Sequence, residues 1–379
     1  MKIGLITIYH VPNYGSVLQT YATQKILQSL GHEVKVIQYN YFNDRYYKEI
    51  GRGPSFRERF YPLKTLLMPK CKAAVLKRFR NNFLNFTPPF ESQAELEKYN
   101  WKDYDAFVVG SDQVWNTKYL LGDPCFLLQF APSDKKRYSL SSSFATKTIA
   151  DKYASVFKKE LSRFSAISVR ESHGIAIIHD QLGLAKPVKV TLDPTLLLNK
   201  KQWLESFPSL TISRKPYILY YMWAYAFEPR PYIYEVVKHF SREMKCDVVA
   251  LEGIRDSKDC KDIDFVDADN STIPQFINLF ANASLVVTSS FHGTAFALSF
   301  GIPLVSIVPD NVGDDRQSSL LKVCGADNCI VRINSEIESI QPQYDITAVK
   351  DKLDYLRQDS INSVSYTHLR AHETELHLV

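Results

Sequence analysis

An α/β fold made of two doubly wound halves is what this sequence predicts, and three observations predict it. Short apolar runs of strand length recur along the 379 residues, each followed by a helix-length stretch with a three-to-four-residue apolar period. A chain of that length exceeds one small core, and the alternation is interrupted by a mixed-polarity linker at about Leu198 to Lys215. Polar residues with no evident packing role gather just after the strand-like runs, where open α/β sheets bind ligands. The expected architecture is therefore two Rossmann-like domains facing a cleft.

The first domain, 1–197, opens with a strand over Lys2–Ile8, a polar loop over Tyr9–Asn13 and a helix over Gly15–Leu30. Gly31 stops that helix at its C′ position. Val34–Tyr39 alternates only weakly, as a strand covered on both faces does. A basic helical insertion, 52–88, follows: from Arg52 to Arg80 nine Lys or Arg stand against Glu58 alone, although the whole chain carries only +5. Within it Leu76, Phe79, Phe83 and Phe86 form a 3-4-3 apolar stripe, with Lys72, Lys77, Arg78 and Arg80 off it. The favoured reading is a helix packed on its own domain with a solvated basic face. The sharper reading is peripheral contact of residues 70–86 with an anionic membrane surface or a lipid phosphate.

A strand from Tyr104 ends in the turn Gly110-Ser111-Asp112. Arg137–Ser143 is a strand, Ile149–Phe164 a helix, and Ala166–Arg170 a strand closing on Arg170-Glu171-Ser172. A helix to about Leu182 and a strand over Val188–Leu192 lead to Asp193-Pro194. The second domain, 216–345, restarts with strand Tyr217–Trp223, helix Arg230–Lys245 and strand Asp247–Leu251. Helix Ser271–Ala283 is capped by Ser271 or Thr272, with Pro274 in the first turn. Strand Leu285–Thr288, helix Gly293–Phe300, strand Pro303–Val308 and helix Arg316–Val323 complete it. A last helix, Ile346–Arg357 within 346–363, is expected to pack back on the first half. Residues 364–379 hold three of the nine histidines and read as a non-native tail, so they carry no functional weight here.

Composition narrows the function classes. With 45% hydrophobic and 23% charged residues the chain is globular. No apolar run approaches the roughly 20 residues that span a bilayer, and Met1–Ile8 is too short for a signal peptide. A cytoplasmic protein is expected. The six cysteines form no C-x-x-C, so neither a zinc site nor a disulfide framework is suggested. No metal, cofactor or nucleic-acid partner is expected. G-x-G-x-x-G, the Walker loop, H-E-x-x-H and G-x-S-x-G are all missing.

What remains is a set of polar elbows at strand ends. The most informative is Leu285–Pro303, where Ser289, Ser290, His292, Gly293 and Thr294 join a buried strand to a buried helix. A histidine there exchanges protons near neutral pH beside amides suited to an anion. A satisfied core histidine is the plainer alternative. Asn13, Tyr14 and Gly15 form a second elbow, where Asn13 caps a helix or Gly15 admits a ligand. Ser111 and Asp112 form a third, since a carboxylate at a strand tip has no packing role. Arg170 leaves its strand at the carboxyl end, as a site cation or half of a surface ion pair. Asp193 stands at the tip of the last strand of this half.

N-Y-G-S-V-L-Q-T-Y-A, V-G-S-D-Q-V-W-N, I-S-V-R-E, T-L-D-P-T and T-S-S-F-H-G-T-A-F-A-L-S-F-G-I-P, in this order, resemble the polysaccharide pyruvyl transferase family. The likeness runs from about Lys2 to Arg332 and includes Asp314, Arg316, Ser319, Leu320 and Leu321 in a looser motif. It implies a GT-B-like two-domain fold and transfer of a pyruvyl group from phosphoenolpyruvate to a sugar. The product is usually a cyclic ketal on an exopolysaccharide or capsule, or on its lipid-linked oligosaccharide precursor. Phosphoenolpyruvate carries a carboxylate and a phosphate, for which Arg170, Arg316 and the amides of Gly293 and Thr294 are the candidates. His292 is the candidate general acid and Asp112 the candidate base, with Asp193 behind it. Many members have R-x-H-G where this chain has Ser290 in S-F-H-G, which leaves Arg170 or Arg316 to hold phosphate. Two alternatives stand beside this reading. One is a GT-B glycosyltransferase using a nucleotide-sugar donor, although no acidic ribose-binding position is evident near the elbow. The other is a non-catalytic glycan- or anion-binding protein.

Overall fold

A computed structural model describes residues 1–40, 67–208, 215–224, 227–253, 255, 258–310 and 316–368. Residues 52–66 of the basic insertion, Asp314 and residues 369–379 of the tail lie outside the described residues. The chain divides into two compact units. The first comprises Met1–Pro69, Lys77–Leu197 and Leu356–Val379, and the second Lys70–Leu76 and Leu198–Tyr355.

In the first unit β1 (Lys2–Ile6) leads through α1 (Tyr14–Ser29) to β2 (Glu33–Tyr39). Helix α2 (Lys72–Phe83), whose residues up to Leu76 fall in the second unit, β3 (Phe86–Phe90), α3 (Gln93–Lys98), β4 (Ala106–Val109) and β5 (Lys136–Ser139) follow. Then come α4 (Asp151–Leu161), β6 (Ile167–Val169), α5 (His173–Ala176, continued by a π turn over Ile177–Gln181), β7 (Val188–Val190) and α6 (Pro194–Leu197). Five parallel strands lie in the order β3-β2-β1-β4-β5. Bridges from Tyr138 to Ala166 and from Ser142 to Val169 continue this sheet into the β6–β7 pair. The central strands are apolar on both faces because both are covered: all four residues of β4 are buried. Trp115, Phe126, Phe107 and Val109 anchor the core on one side.

The second unit holds α7 (Lys200–Ser206), β8 (Tyr217–Tyr221), α8 (Tyr232–Met244), β9 (Asp247–Glu252) and β10 (Phe265–Asp267). It continues with α9 (Ile273–Asn282), β11 (Leu285–Thr288), α10 (Phe291–Phe300), β12 (Leu304–Val308), α11 (Arg316–Cys324) and β13 (Ile330–Arg332). The last helix, α12 (Ile346–His368), contributes residues to both units. Six parallel strands run β10-β9-β8-β11-β12-β13. Counted within each unit, both sheets begin 3-2-1-4-5, the doubly wound order with its switch point between the first and fourth strands.

Several elements differ from the sequence expectation. Strands β3, β10 and β13 were not foreseen. Phe86 opens β3 instead of closing the helical stripe, which ends at Phe83. The linker contains α7, started by a capping box between Asn199 and Gln202. Helix α12 runs past Arg357 to His368 and buries Val364, so helix extends into the stretch read as tail. In α2 the stripe residues Leu76 and Phe79 are buried, and Phe79 stacks on Phe83 and meets the edge of Tyr21. Arg80 donates to the carbonyls of Tyr9 and His10, whereas Lys77 and Arg78 are exposed.

Candidate functional site

In the first unit the loops after β1 and β4 meet at the switch point. Asn13 has extended backbone, and its side chain accepts from the Ser16 amide at 3.2 Å, which caps α1 and fixes where Ser16 stands. Ser16 Oγ then donates to Asp112 Oδ2 at 2.7 Å across the two loops. Asp112 adopts φ +66°, a conformation Asp tolerates better than most residues, and its Oδ1 accepts from the Gln113 amide. Gly110 is required two residues earlier: at φ +118° a Cβ there would sit 2.3 Å from the Leu140 carbonyl.

The remaining polar residues close a ring around this contact. Ser143 receives the thread, its amide donating to the Asp112 carbonyl and its hydroxyl to Glu171 Oε1 at 2.9 Å. Arg170 donates from Nε to Glu171 at 2.7 Å and from Nη1 to Asp193 Oδ2 at 2.9 Å. Ser111 Oγ lies 3.0 Å from the same Asp193 oxygen, while Asp193 Oδ1 accepts from the amide and hydroxyl of Thr195. Burial opposes the charge on Arg170, but Glu171, Asp193 and Asp112 outweigh it and hold the guanidinium firmly protonated. Four motifs spread over 180 residues thus share one buried hydrogen-bonded network. Sequence reasoning missed Thr7, Gln19 and Ser141–Ser143. Gln19 Nε2 donates to Thr7 Oγ1, Thr7 in turn donates to the Ser111 carbonyl, and Ser141 binds Thr191 and Leu192. The run of serines after β5 was the available signal.

Two candidates sit deep in this network. Asp193 is 1% exposed, with one oxygen held by Ser111 and Arg170 and the other by Thr195. Arg170 spends Nε and Nη1 on carboxylates inside the unit. Tyr14 and Gly15 are buried in the first turn of α1.

The second unit repeats the geometry with different chemistry. Ser289 clamps the loops after β8 and β11: its hydroxyl accepts from the Trp223 amide and donates to the Trp223 carbonyl, both at 2.9 Å. Thr288 Oγ1 donates to the Tyr221 carbonyl and accepts from the Ser290 amide. Ser290, standing where an arginine was weighed, is the N-cap of α10, and its hydroxyl accepts from the Gly293 amide. Helix α10 therefore starts at Phe291, two residues earlier than expected. The amides of Gly293 and Thr294, expected at an anion, go instead to the Ser290 side chain and carbonyl. Gly293 has a steric reason, because a Cβ would fall 2.3 Å from Thr288 Oγ1 and 2.9 Å from the Tyr221 ring. Thr294 Oγ1 pairs with Ser306, and Gln317 closes that cluster from α11. His292 lies in the first turn of α10, 8% exposed, with the Phe291 ring edge-on at 5.3 Å. Arg316 is the first residue of α11 and is partly buried. Asp112 belongs to the first unit, and His292 and Arg316 to the second.

Among the described residues, no group of three or more His, Cys, Asp or Glu is arranged to hold a metal ion. No helix among them is long and apolar enough to cross a membrane.

The sequence pattern of the polysaccharide pyruvyl transferase family matches residues 13–311. No curated protein matches the chain. Among solved structures, S. aureus MnaA with UDP is similar at 13% identity over 96% of each chain, with a TM-score of 0.53. A Listeria monocytogenes protein assigned as a UDP-N-acetylglucosamine 2-epimerase is 14% identical, covering 100% of this chain and 98% of that one, with a TM-score of 0.54. At such identity the likeness shows the fold alone, which is α/β, doubly wound in each unit and GT-B-like.

Proposed function

The chain belongs to the polysaccharide pyruvyl transferase family, and from that premise we propose that it moves the pyruvyl group of phosphoenolpyruvate onto a hydroxyl pair of a sugar. The acceptor is a cell-surface polysaccharide unit or its lipid-linked precursor. The observation that carries this reading is the convergence of the elbow motifs on the switch points of two sheets, with Asp112 held by Ser16 in one and His292 in the first turn of α10 in the other.

In this scheme His292 protonates the methylene carbon of phosphoenolpyruvate, leaving a cation-like centre at the carbon that bears phosphate. A sugar hydroxyl adds there and yields its proton to water. The neighbouring hydroxyl then displaces the phosphate at the same carbon, closing the ketal and releasing inorganic phosphate with the remaining proton. Arg316 is the cation proposed for the phosphate. Arg170 acts as a positioning residue for Asp193 and Ser111, since its Nε and Nη1 are already committed.

Purified protein given phosphoenolpyruvate and a panel of free and lipid-linked oligosaccharides should release phosphate only when an acceptor is present. His292→Ala should slow that release by roughly 10²–10⁴-fold. Absence of phosphate release with every acceptor, or full rate in His292→Ala, would overturn the proposal. Thermal stabilisation by UDP but not by phosphoenolpyruvate would favour the nucleotide-sugar alternative.

A further inference from the structure

A second polar feature of the second unit takes no part in the scheme above. A cavity of about 330 Å³ opens at the carboxyl ends of β8 and β9, lined among others by Lys72, Met222, Trp223, Glu252, Asp269 and Asn270. Its size is at the lower end of the range for small-molecule sites. Every lining residue belongs to the second unit, Lys72 through the segment Lys70–Leu76.

Glu252 is the last residue of β9, the second strand of a doubly wound sheet, where an acidic side chain meets sugar hydroxyls in dinucleotide folds. One of its oxygens pairs with Lys72. The other, Oε2, is buried and has no hydrogen-bond partner among the described residues. Such an acceptor is costly unless a donor reaches it. Burial, only partly offset by Lys72, raises the Glu252 carboxyl above its usual range, so an incoming donor relieves a real deficit. Gly253 fixes the residue's approach, because at φ +135° a Cβ would meet the Tyr220 ring at 2.8 Å. Asn270 uses its side-chain oxygen on the Lys72 amide, which leaves its amide nitrogen as a donor. Trp223 is partly exposed and supplies an apolar ring face, with Lys72 Nζ 5.4 Å from its centroid. Two carboxylates, Glu252 and Asp269, disfavour an anionic group here. An aromatic face, a carboxylate acceptor and an amide donor together suit a neutral polyol ring.

We propose that this cavity is a sugar subsite, in which a ring lies on Trp223 and adjacent hydroxyls meet Glu252 and Asn270. The ring is a hexopyranose or a nucleotide's ribose; the vicinal diol is common to both. As an acceptor subsite it rests on the proposed function, but its test reads binding and not turnover. Trp101, Trp115 and Trp203 are at most 2% exposed, so acrylamide quenching of the full chain's fluorescence reports chiefly on Trp223. One arm uses the methyl pyranosides of galactose, glucose and mannose. The other compares UDP with its 2′-deoxy analogue.

The expected result is saturable protection by at least one probe, weakened about tenfold in Glu252→Gln and in the matched deoxy sugar. Protection confined to pyranosides identifies a hexose, and UDP protection lost on 2′-deoxygenation identifies ribose; either supports the subsite. No saturable protection by any probe overturns it, as does equal binding of the deoxy analogues. Should Glu252→Gln fail to fold, the deoxy comparison on the wild-type chain decides. Binding without phosphate release would leave the subsite standing and the pyruvyl transfer refuted, and the reverse result would do the opposite.

Discussion

The two switch points are built on the same strand order and could hardly differ more in charge. In the first unit Arg170, Glu171, Asp193 and Asp112 are all buried; Arg170 pairs directly with Glu171 and Asp193, and Ser143 links Glu171 to the Asp112 carbonyl. In the second unit the corresponding loops are stitched by neutral hydroxyls to backbone, and the elbow presents a single titratable side chain, His292. Each loop set also carries a histidine, held differently. His10 is partly exposed, and burial followed by the nearby Arg80 pushes its pKa down to about 3. The contrast teaches that charge at a strand tip is not by itself a sign of reactivity. Where charges satisfy each other they hold the loops together.

That contrast can be broken at four points. Arg170→Met leaves Glu171 and Asp193 buried without their cation, so urea unfolding should show a loss of roughly 3–5 kcal/mol. A loss below about 1 kcal/mol would mean that the first network is not held by its charges. His292→Ala should do the reverse, with activity falling by about 10²–10⁴-fold while stability moves by less than about 1 kcal/mol. Gly293→Ala tests whether the second frame is set by close approach. The added methyl must displace Thr288 or Tyr221, and denaturation should report a cost of about 1–3 kcal/mol. The smallest effect concerns pH. Unfolded His10 titrates near its ordinary value but stays neutral in the fold, so the unfolded chain binds the extra proton as pH falls below that value. The stability it contributes is full above about 6.5 and declines toward 3, with about 1.2 kcal/mol lost between pH 7 and 5.5. His10→Asn should remove that part of the slope, whatever its effect at neutral pH.

How much of this was legible in the sequence depends on range. Strands such as Leu285–Thr288 were readable because burial on both faces leaves an unbroken apolar run. Strand β3 was not, since Phe-Thr-Pro-Pro-Phe contains two prolines and its first residue completes a helical spacing by coincidence. Strands β10 and β13 have three residues each, too few to show a period. The elbows stand at strand ends as expected, but the partners their side chains hold were not foreseen. Asp193 takes Ser111 from 82 residues away, and nothing local announces that partner. The steric need for Gly293 was hidden too, because the Thr288 and Tyr221 atoms that exclude a side chain are a matter of packing. Glu252 escaped notice because its strand precedes the elbow by more than 30 residues and lies one strand removed from it, beyond β8, in the sheet order.

The middle turns of α12 have a consequence for the order of events during synthesis. Arg357 donates from Nε to the Leu196 carbonyl, and Ser360 Oγ accepts from the Leu192 amide, on either side of Asp193. The segment that fixes the Arg170 cluster thus waits for residues made more than 160 positions later. At ribosomal rates of about 5–20 residues per second, that delay is on the order of ten seconds or more. Throughout it the second unit is being translated while the first lacks its last strap. A nascent chain stalled before Leu356 should therefore expose the Leu192–Leu197 segment to proteases that the finished protein resists.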